Sequence, residues 1–175
     1  MVSVAVNGGP QRNGEPAREM CLVTRSEEIV RAAYRTAEGN VLDLVAWRNA
    51  FTEDGVFNDI ANRGSYTGER LGDVVTYMAG LFPDVHRELL RVNDAGHLVA
   101  VELLTQGTFR GPLPTPAGPV APTGAKVSIP TADFFYLRAG KIETFNCYVS
   151  MNIMYAQLGI KPDFAAAAQP PTATG

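Results

Sequence analysis

Apolar residues recur at helical spacing in the first half of the chain and alternate with polar ones in the second, and this change of period predicts its elements. Thr24 and Glu27 have the spacing of a capping box, and Ile29, Val30, Ala33 and Tyr34 repeat at helical intervals behind them. "EGN" ends that helix, and Asn40 can cap a second one carrying Leu42, Leu44, Val45 and Trp47. "TEDG" predicts a turn into a short strand, Val56–Asp59, followed by a glycine-marked turn. A third helix fits "ERLGDVVTYMAGLF", with Leu71, Val74, Val75 and Met78 on one side. From His86 onward "HRELLRVND", "HLVAVELLTQGTF", "AKVSIPTADFFYL" and "KIETFNCYVS" read as strands, joined by hairpin turns at "NDAG" and "RAG". The Pro- and Gly-rich stretch between Arg110 and Lys126 is expected to be a long hairpin loop, because strong strands flank it. A last helix is expected from near Asn152 to "QLG".

Three helices followed by a meander of long strands is an α+β pattern, with the helices packed on one curved sheet. Low complexity at both ends places the folded domain at residues 23–162, between an N-terminal segment (1–22) and a tail (163–175) that are expected to be disordered.

Composition narrows the function classes. The 175 residues are 46% hydrophobic and 19% charged, as in globular domains, with a formal net charge of −3 and no basic run that would suit nucleic acid. No apolar run reaches the ~18 residues a membrane helix needs. Two distant cysteines, Cys21 and Cys147, suggest neither a disulfide framework nor a metal knuckle. His86 and His97 are too isolated for a zinc site, so no metal is expected. The N-terminus lacks the features of a signal peptide, which points to a cytoplasmic protein.

Two aspartates stand out. Asp133 lies on an alternating strand whose face also holds Val127, Ile129, Thr131, Phe135 and Leu137. A carboxylate among such neighbours is costly unless it is protonated or paired, for instance with Arg110. Asp59 ends the strand of "VFNDIANRGSYTG", where it is either a turn residue or a base at a pocket mouth, and Asn58 could orient it. Phe134, Phe135, Phe145, Met151 and Met154 are expected to supply apolar walls or core.

The run "GTFRGPLPTPAG…PTGAKVSIPTADFFYLRAGKIETFNCY…AQLG" resembles the SnoaL-like proteins. They are a branch of the nuclear-transport-factor-like superfamily that includes ketosteroid isomerases, limonene-epoxide hydrolases and scytalone dehydratase. The resemblance covers about residues 25 to 160 and implies a cone-shaped half-barrel, a curved mixed sheet wrapped around an apolar pocket. In the cyclases and epoxide hydrolases an acidic residue sits seven positions after the glycine of "AGKI", and here that position is Cys147. The cyclases' histidine on the neighbouring strand is Asp133 here, and residues often His and Asp in relatives are Asn146 and Ser150. The ketosteroid isomerase arrangement fits better. It makes Asp59 the general base, and Asp133 and Tyr34 the hydrogen-bond donors to an oxyanion. Ile60 in place of the usual proline, and a shorter turn before Gly140, depart from that pattern.

The resemblance thus implies catalytic Asp59, Asp133 and Tyr34, and a substrate-binding wall of Asn58, Phe135, Phe145, Cys147, Trp47 and Met78. The expected function is cofactor-free acid–base chemistry on an apolar polyketide- or terpenoid-like molecule, as isomerase, cyclase or dehydratase through an enolate. Epoxide opening by the pocket carboxylates, and ligand binding without catalysis, are the alternatives. A homodimer is expected from the same resemblance.

Overall fold

The computed structural model describes residues 24–163, so the expectations for both terminal segments, and for Cys21, lie outside the described residues. Helix α1 (Arg25–Thr36) begins where the capping box predicts: the Thr24 side chain accepts from the Glu27 backbone N–H. Asp94 accepts from the same N–H at 3.2 Å and from the Thr24 hydroxyl, tying the helix start to a strand end 70 residues away. Val30, Ala33, Tyr34 and Ala37 form its buried stripe.

Helix α2 (Leu44–Asn49) is shorter than expected and is capped by Asp43, whose side chain accepts from Ala46 N–H, rather than by Asn40. Leu42 has φ of 41°, outside right-handed helical space, so the chain turns there before the helix can start. Trp47 anchors α2 by donating from Nε1 to the Leu71 carbonyl at 2.8 Å.

Strand β1 (Phe51–Asp59) absorbs "TEDG" as a bulge instead of beginning after it. Its pairing moves from Phe51 opposite Ile142 to Val56 opposite Thr144, so five steps on one strand match two on the other. Gly55 closes this bulge. A Cβ there would sit 2.9 Å from both Phe51 Cβ and the Thr52 carbonyl oxygen. The glycine-marked turn leads into a short strand not foreseen from the sequence, β2 (Gly64–Thr67), and then into α3 (Leu71–Leu81). The remaining elements fall within a residue or two of expectation: β3 (His86–Asp94), β4 (Leu98–Thr108), β5 (Lys126–Arg138), β6 (Lys141–Val149) and α4 (Met151–Gln157).

The six strands form one curved, unclosed sheet in the order β2-β1-β6-β5-β4-β3. Among the described residues only the β1–β6 pair is parallel. Helix α1 packs on β3 and β4, α2 on β1, and α4 on β5, giving the α+β cone expected. One core lies between α1–α3 and the sheet, around Trp47, Phe57, Phe135 and Phe145. A second, under α4 and the end of α3, gathers Phe82, Phe109, Leu113, Ile129 and Met154.

The long β4–β5 loop is anchored at its start. Arg110 and Gly111 both donate backbone N–H bonds to the Leu81 carbonyl, and Leu113 pairs with Val120 across the loop. Gly111 lies so close to α3 that a Cβ would come within 1.9 Å of the Gly80 carbonyl oxygen. Gly111→Ala must push the loop off the helix and is expected to cost about 2–3 kcal/mol, the upper end for overpacking. Urea denaturation of the variant checks this, and an unchanged midpoint would refute the close approach.

Candidate active site

Register builds the site. Across the sheet, Asp59 of β1 pairs with Cys147 of β6, and Cys147 pairs with Asp133 of β5. Paired residues project to the same face, so three polar side chains stand in one row with steps of about 4.8 Å. The next row on this face, two residues before Asp59 and Cys147 and two after Asp133, holds Phe57, Phe145 and Phe135, all within the core between helices and sheet. The polar row therefore lies on the helix-covered face, next to a floor of aromatic rings.

The two carboxyl groups end in different surroundings. Asp59 borders a cavity of about 450 Å³, a size suited to small organic ligands. Its wall includes Asp59 at the end of β1, Asn62 from the β1–β2 turn, Tyr66 from β2, Asp73, Val74, Tyr77 and Met78 from α3, Leu113 and Pro114 from the long loop, and Met151 and Tyr155 from α4. Asn62 donates its backbone N–H to Asp59 Oδ1 at 3.1 Å and its amide to Oδ2 at 2.7 Å. Asp59 is thus both the turn residue and the cavity carboxylate.

Asp133 is sealed, with 2% exposure, and does not border that cavity. The Tyr34 hydroxyl donates to its Oδ2 at 2.7 Å, while Oδ1 makes no hydrogen bond of ordinary geometry. Burial raises the Asp133 carboxyl from 3.8 to about 6; the Tyr34 hydroxyl, the Cys147 thiol facing it and the charge of Arg87 pull the other way. Burial and the neighbouring carboxyl also push Tyr34 and Cys147 well above their ordinary values, so phenol and thiol keep their protons. This environment disfavours a thiolate at Cys147.

Several expectations change here. Tyr34 and Asp133 do meet, but they hydrogen-bond each other inside the core instead of facing the cavity. Asp133 makes no ion pair with Arg110; the cation whose charge reaches it is Arg87, on β3. Phe135 and Phe145 stack on each other at 4.0 Å and are buried, and Trp47 is committed to Leu71, so none of the three borders the cavity. Asn58 alternates with Asp59 and projects to the opposite face, where it donates to Asn146 at 2.8 Å and accepts from Ser65. Cys147 keeps partial exposure but lies between the cavity carboxylate and the sealed one. Of the expected binding residues, Met78 borders the cavity.

Tyr66, Tyr77, Tyr155 and Asn62 border it without having been singled out. Tyr77 follows Val74 by three residues and precedes Met78, but its placement beside Tyr155 depends on how α3 meets α4. Only Asn62, three residues past Asp59 in a turn, carried a local signal. Burial, then Tyr155, Asp59 and Tyr66, raise the Tyr77 phenol above its ordinary value, so these four side chains share one neighbourhood.

Among the described residues no cluster of three or more His, Cys, Asp and Glu could hold a metal ion, and no helix is long and apolar enough to cross a membrane.

A curved α+β cone with a cavity against its polar row defines a familiar class of protein. The chain belongs to the SnoaL-like domain family, whose model matches residues 30–145. No curated protein matches the chain. Among solved structures it is similar to a SnoaL-like polyketide cyclase, so named provisionally, from Jannaschia sp. CCS1. That match has 19% identity and a TM-score of 0.68, covering 88% of this chain and 100% of that one. A protein with a ketosteroid isomerase-like fold from Catenulispora acidiphila DSM 44928 matches at 24% identity and a TM-score of 0.63, covering 82% and 98%. An LEH-like epoxide hydrolase from M. tuberculosis matches at 16% identity and a TM-score of 0.58, covering 78% and 90%. At these identities the structures speak for the shared fold.

The sealed carboxyl makes stability depend on pH. Folding raises the Asp133 pKa above the ordinary 3.8, so the folded chain holds this proton more tightly than the unfolded one. The contribution is full below about pH 4 and is lost as pH rises through 6, a change of roughly 3 kcal/mol. Asp133→Asn keeps an oxygen for the Tyr34 hydroxyl and cannot ionise. Its Tm relative to the native chain should therefore rise between about pH 4 and pH 6 and level off above about pH 7. A pH-independent difference would show that Asp133 does not titrate in the folded chain.

Proposed function

We propose that the protein is an enzyme of cofactor-free proton transfer on an apolar, enolisable small molecule, with Asp59 as the general base. The observation that supports this best is the position of Asp59: a carboxylate in the wall of a cavity otherwise dominated by tyrosine, methionine and aliphatic side chains. Asn62 holds both of its oxygens by local hydrogen bonds, which fixes the base without a charged partner. The family, whose fold neighbours include a protein named as a polyketide cyclase, supports a cyclase or isomerase at that coarse level.

In this reading the substrate carbonyl lies against Tyr77, whose phenol stays protonated and can donate a hydrogen bond to the enolate oxygen as it forms. Asp59 removes a proton from the adjacent carbon and returns it elsewhere, which moves a double bond or frees a carbanion for ring closure. Asp133 and Tyr34 touch no substrate in this scheme. They stiffen the floor behind Cys147.

Carbon-acid exchange tests the assignment. A panel of aryl β-diketones and β,γ-unsaturated ketones in deuterium oxide, followed by NMR, should show enzyme-dependent exchange of the acidic C–H. Asp59→Asn should slow that exchange by about 10²–10⁴-fold. Tyr77→Phe should slow it less, by up to about 10²–10³-fold. Exchange that survives unchanged in Asp59→Asn would rule out this base.

A further inference from the structure

The cavity wall carries charge of one sign. It includes the carboxylates of Asp59 and Asp73, the rings of Tyr66, Tyr77 and Tyr155, and methionine side chains, but no Lys, Arg or His. Asp59 makes no ion pair among the described residues, and its oxygens take only the two Asn62 donors. A ligand without positive charge would strip water from the Asp59 carboxylate and supply no counter-charge. An anion would be repelled.

One resident cation shows what the wall accepts. The Arg70 guanidinium stands 5.4 Å from the centroid of the Tyr66 ring and 3.6 Å from Asp73, on a side chain that is 69% exposed. A tyrosine ring and a carboxylate of the cavity are therefore already paired with a positive group at the solvent edge. Asp59, with Tyr77 and Tyr155 near it, offers a similar combination without one.

We propose that the cavity selects an enolisable ligand bearing a positively charged amine, its ammonium group held at the tyrosine side chains within the field of Asp59 and Asp73, which leaves Asp59 within reach of the acidic C–H, and its apolar remainder against the methionines and Leu113. This names the substrate class of the site assigned above and rests on that assignment. Carboxylate and aromatic rings act together on such a group: the first supplies the counter-charge, the second a negative ring face that needs no hydrogen bond. Arg70 competes for the same field from the edge.

Benzyltrimethylammonium and its carbon isostere neopentylbenzene have nearly the same shape and differ in charge. Their binding to the full chain can be compared by NMR titration. The cation should bind at least about tenfold more tightly than the isostere. Asp59→Asn should abolish most of that preference while leaving the isostere unchanged. Tyr77→Phe should retain cation binding and Tyr77→Leu weaken it several-fold, as a ring-face contact requires. The Tyr77 side chain is 46% exposed, so both variants are expected to fold. Arg70→Gln should strengthen cation binding.

Equal binding of the two probes, preference for the neutral one, or no binding of the cation at millimolar concentration each overturns the proposal. The titration needs no turnover, so the two assignments fail separately. A cation preference combined with undiminished exchange in Asp59→Asn leaves charge selection standing and removes the base. Loss of exchange in Asp59→Asn without any cation preference does the reverse.

Discussion

The pairing of β1 with β6 is the only parallel one among the described residues, and the placement of the site depends on it. It carries the end of the short first strand to the middle of β6, so that Asp59 arrives beside Cys147 and, one strand further, Asp133. A slip of one residue would turn Asp59 to the outer face and bring Asn58 inward, because side chains alternate with a period of two. The bulge over residues 52–55 is what sets this register, and Gly55 is the residue whose missing side chain lets the strand fold back on Phe51 so closely. The site's position is thus fixed by backbone geometry well away from the cavity.

Within the row, distance from water decides what each carboxyl group does. Asp59 and Asp133 lie two strands apart and on the same face, yet one borders a cavity and the other is enclosed. Burial raises the enclosed one to about 6 and pushes the Tyr34 phenol and Cys147 thiol beside it upward as well, while the charge of Arg87 pulls the carboxyl down. Arg87 is itself held in place by donating to the Ala37 carbonyl at 2.7 Å and by Glu38. Chemically equivalent residues two strands apart on one face therefore meet different surroundings through packing alone, and the enclosed one has its pKa raised by burial.

The sequence made the fold legible wherever the signal was local. The Thr24 cap, the alternation of β5 and the "NDAG" and "RAG" turns each depend on a few neighbouring residues, and each appears where its pattern places it. Residues 40–55 were misread for the opposite reason. Asn40 is a good cap by type, but the chain takes positive φ at Leu42, and "TEDG" looks like a turn because a bulge uses the same polar, glycine-ended composition. The two aspartates could be found because a carboxyl on an apolar face is conspicuous. Which of them meets the cavity could not be found, because that is decided by how α3, α4 and the long loop close over the row. Tyr77 and Tyr155 come together through the same closure and have no sequence relation at all.

The loop between β4 and β5 has a further consequence. Its first residues are pinned to the last turn of α3 through Leu81, and Leu113 is buried in the second core, whereas the tip beyond Pro114 carries mostly exposed residues. The Leu113–Val120 bridge ties the far side of the loop back to this anchor, and the two loop residues that border the cavity, Leu113 and Pro114, belong to the anchored end. The loop's share of the cavity wall is therefore held by the folding core, so the exposed tip can vary in sequence without moving that wall.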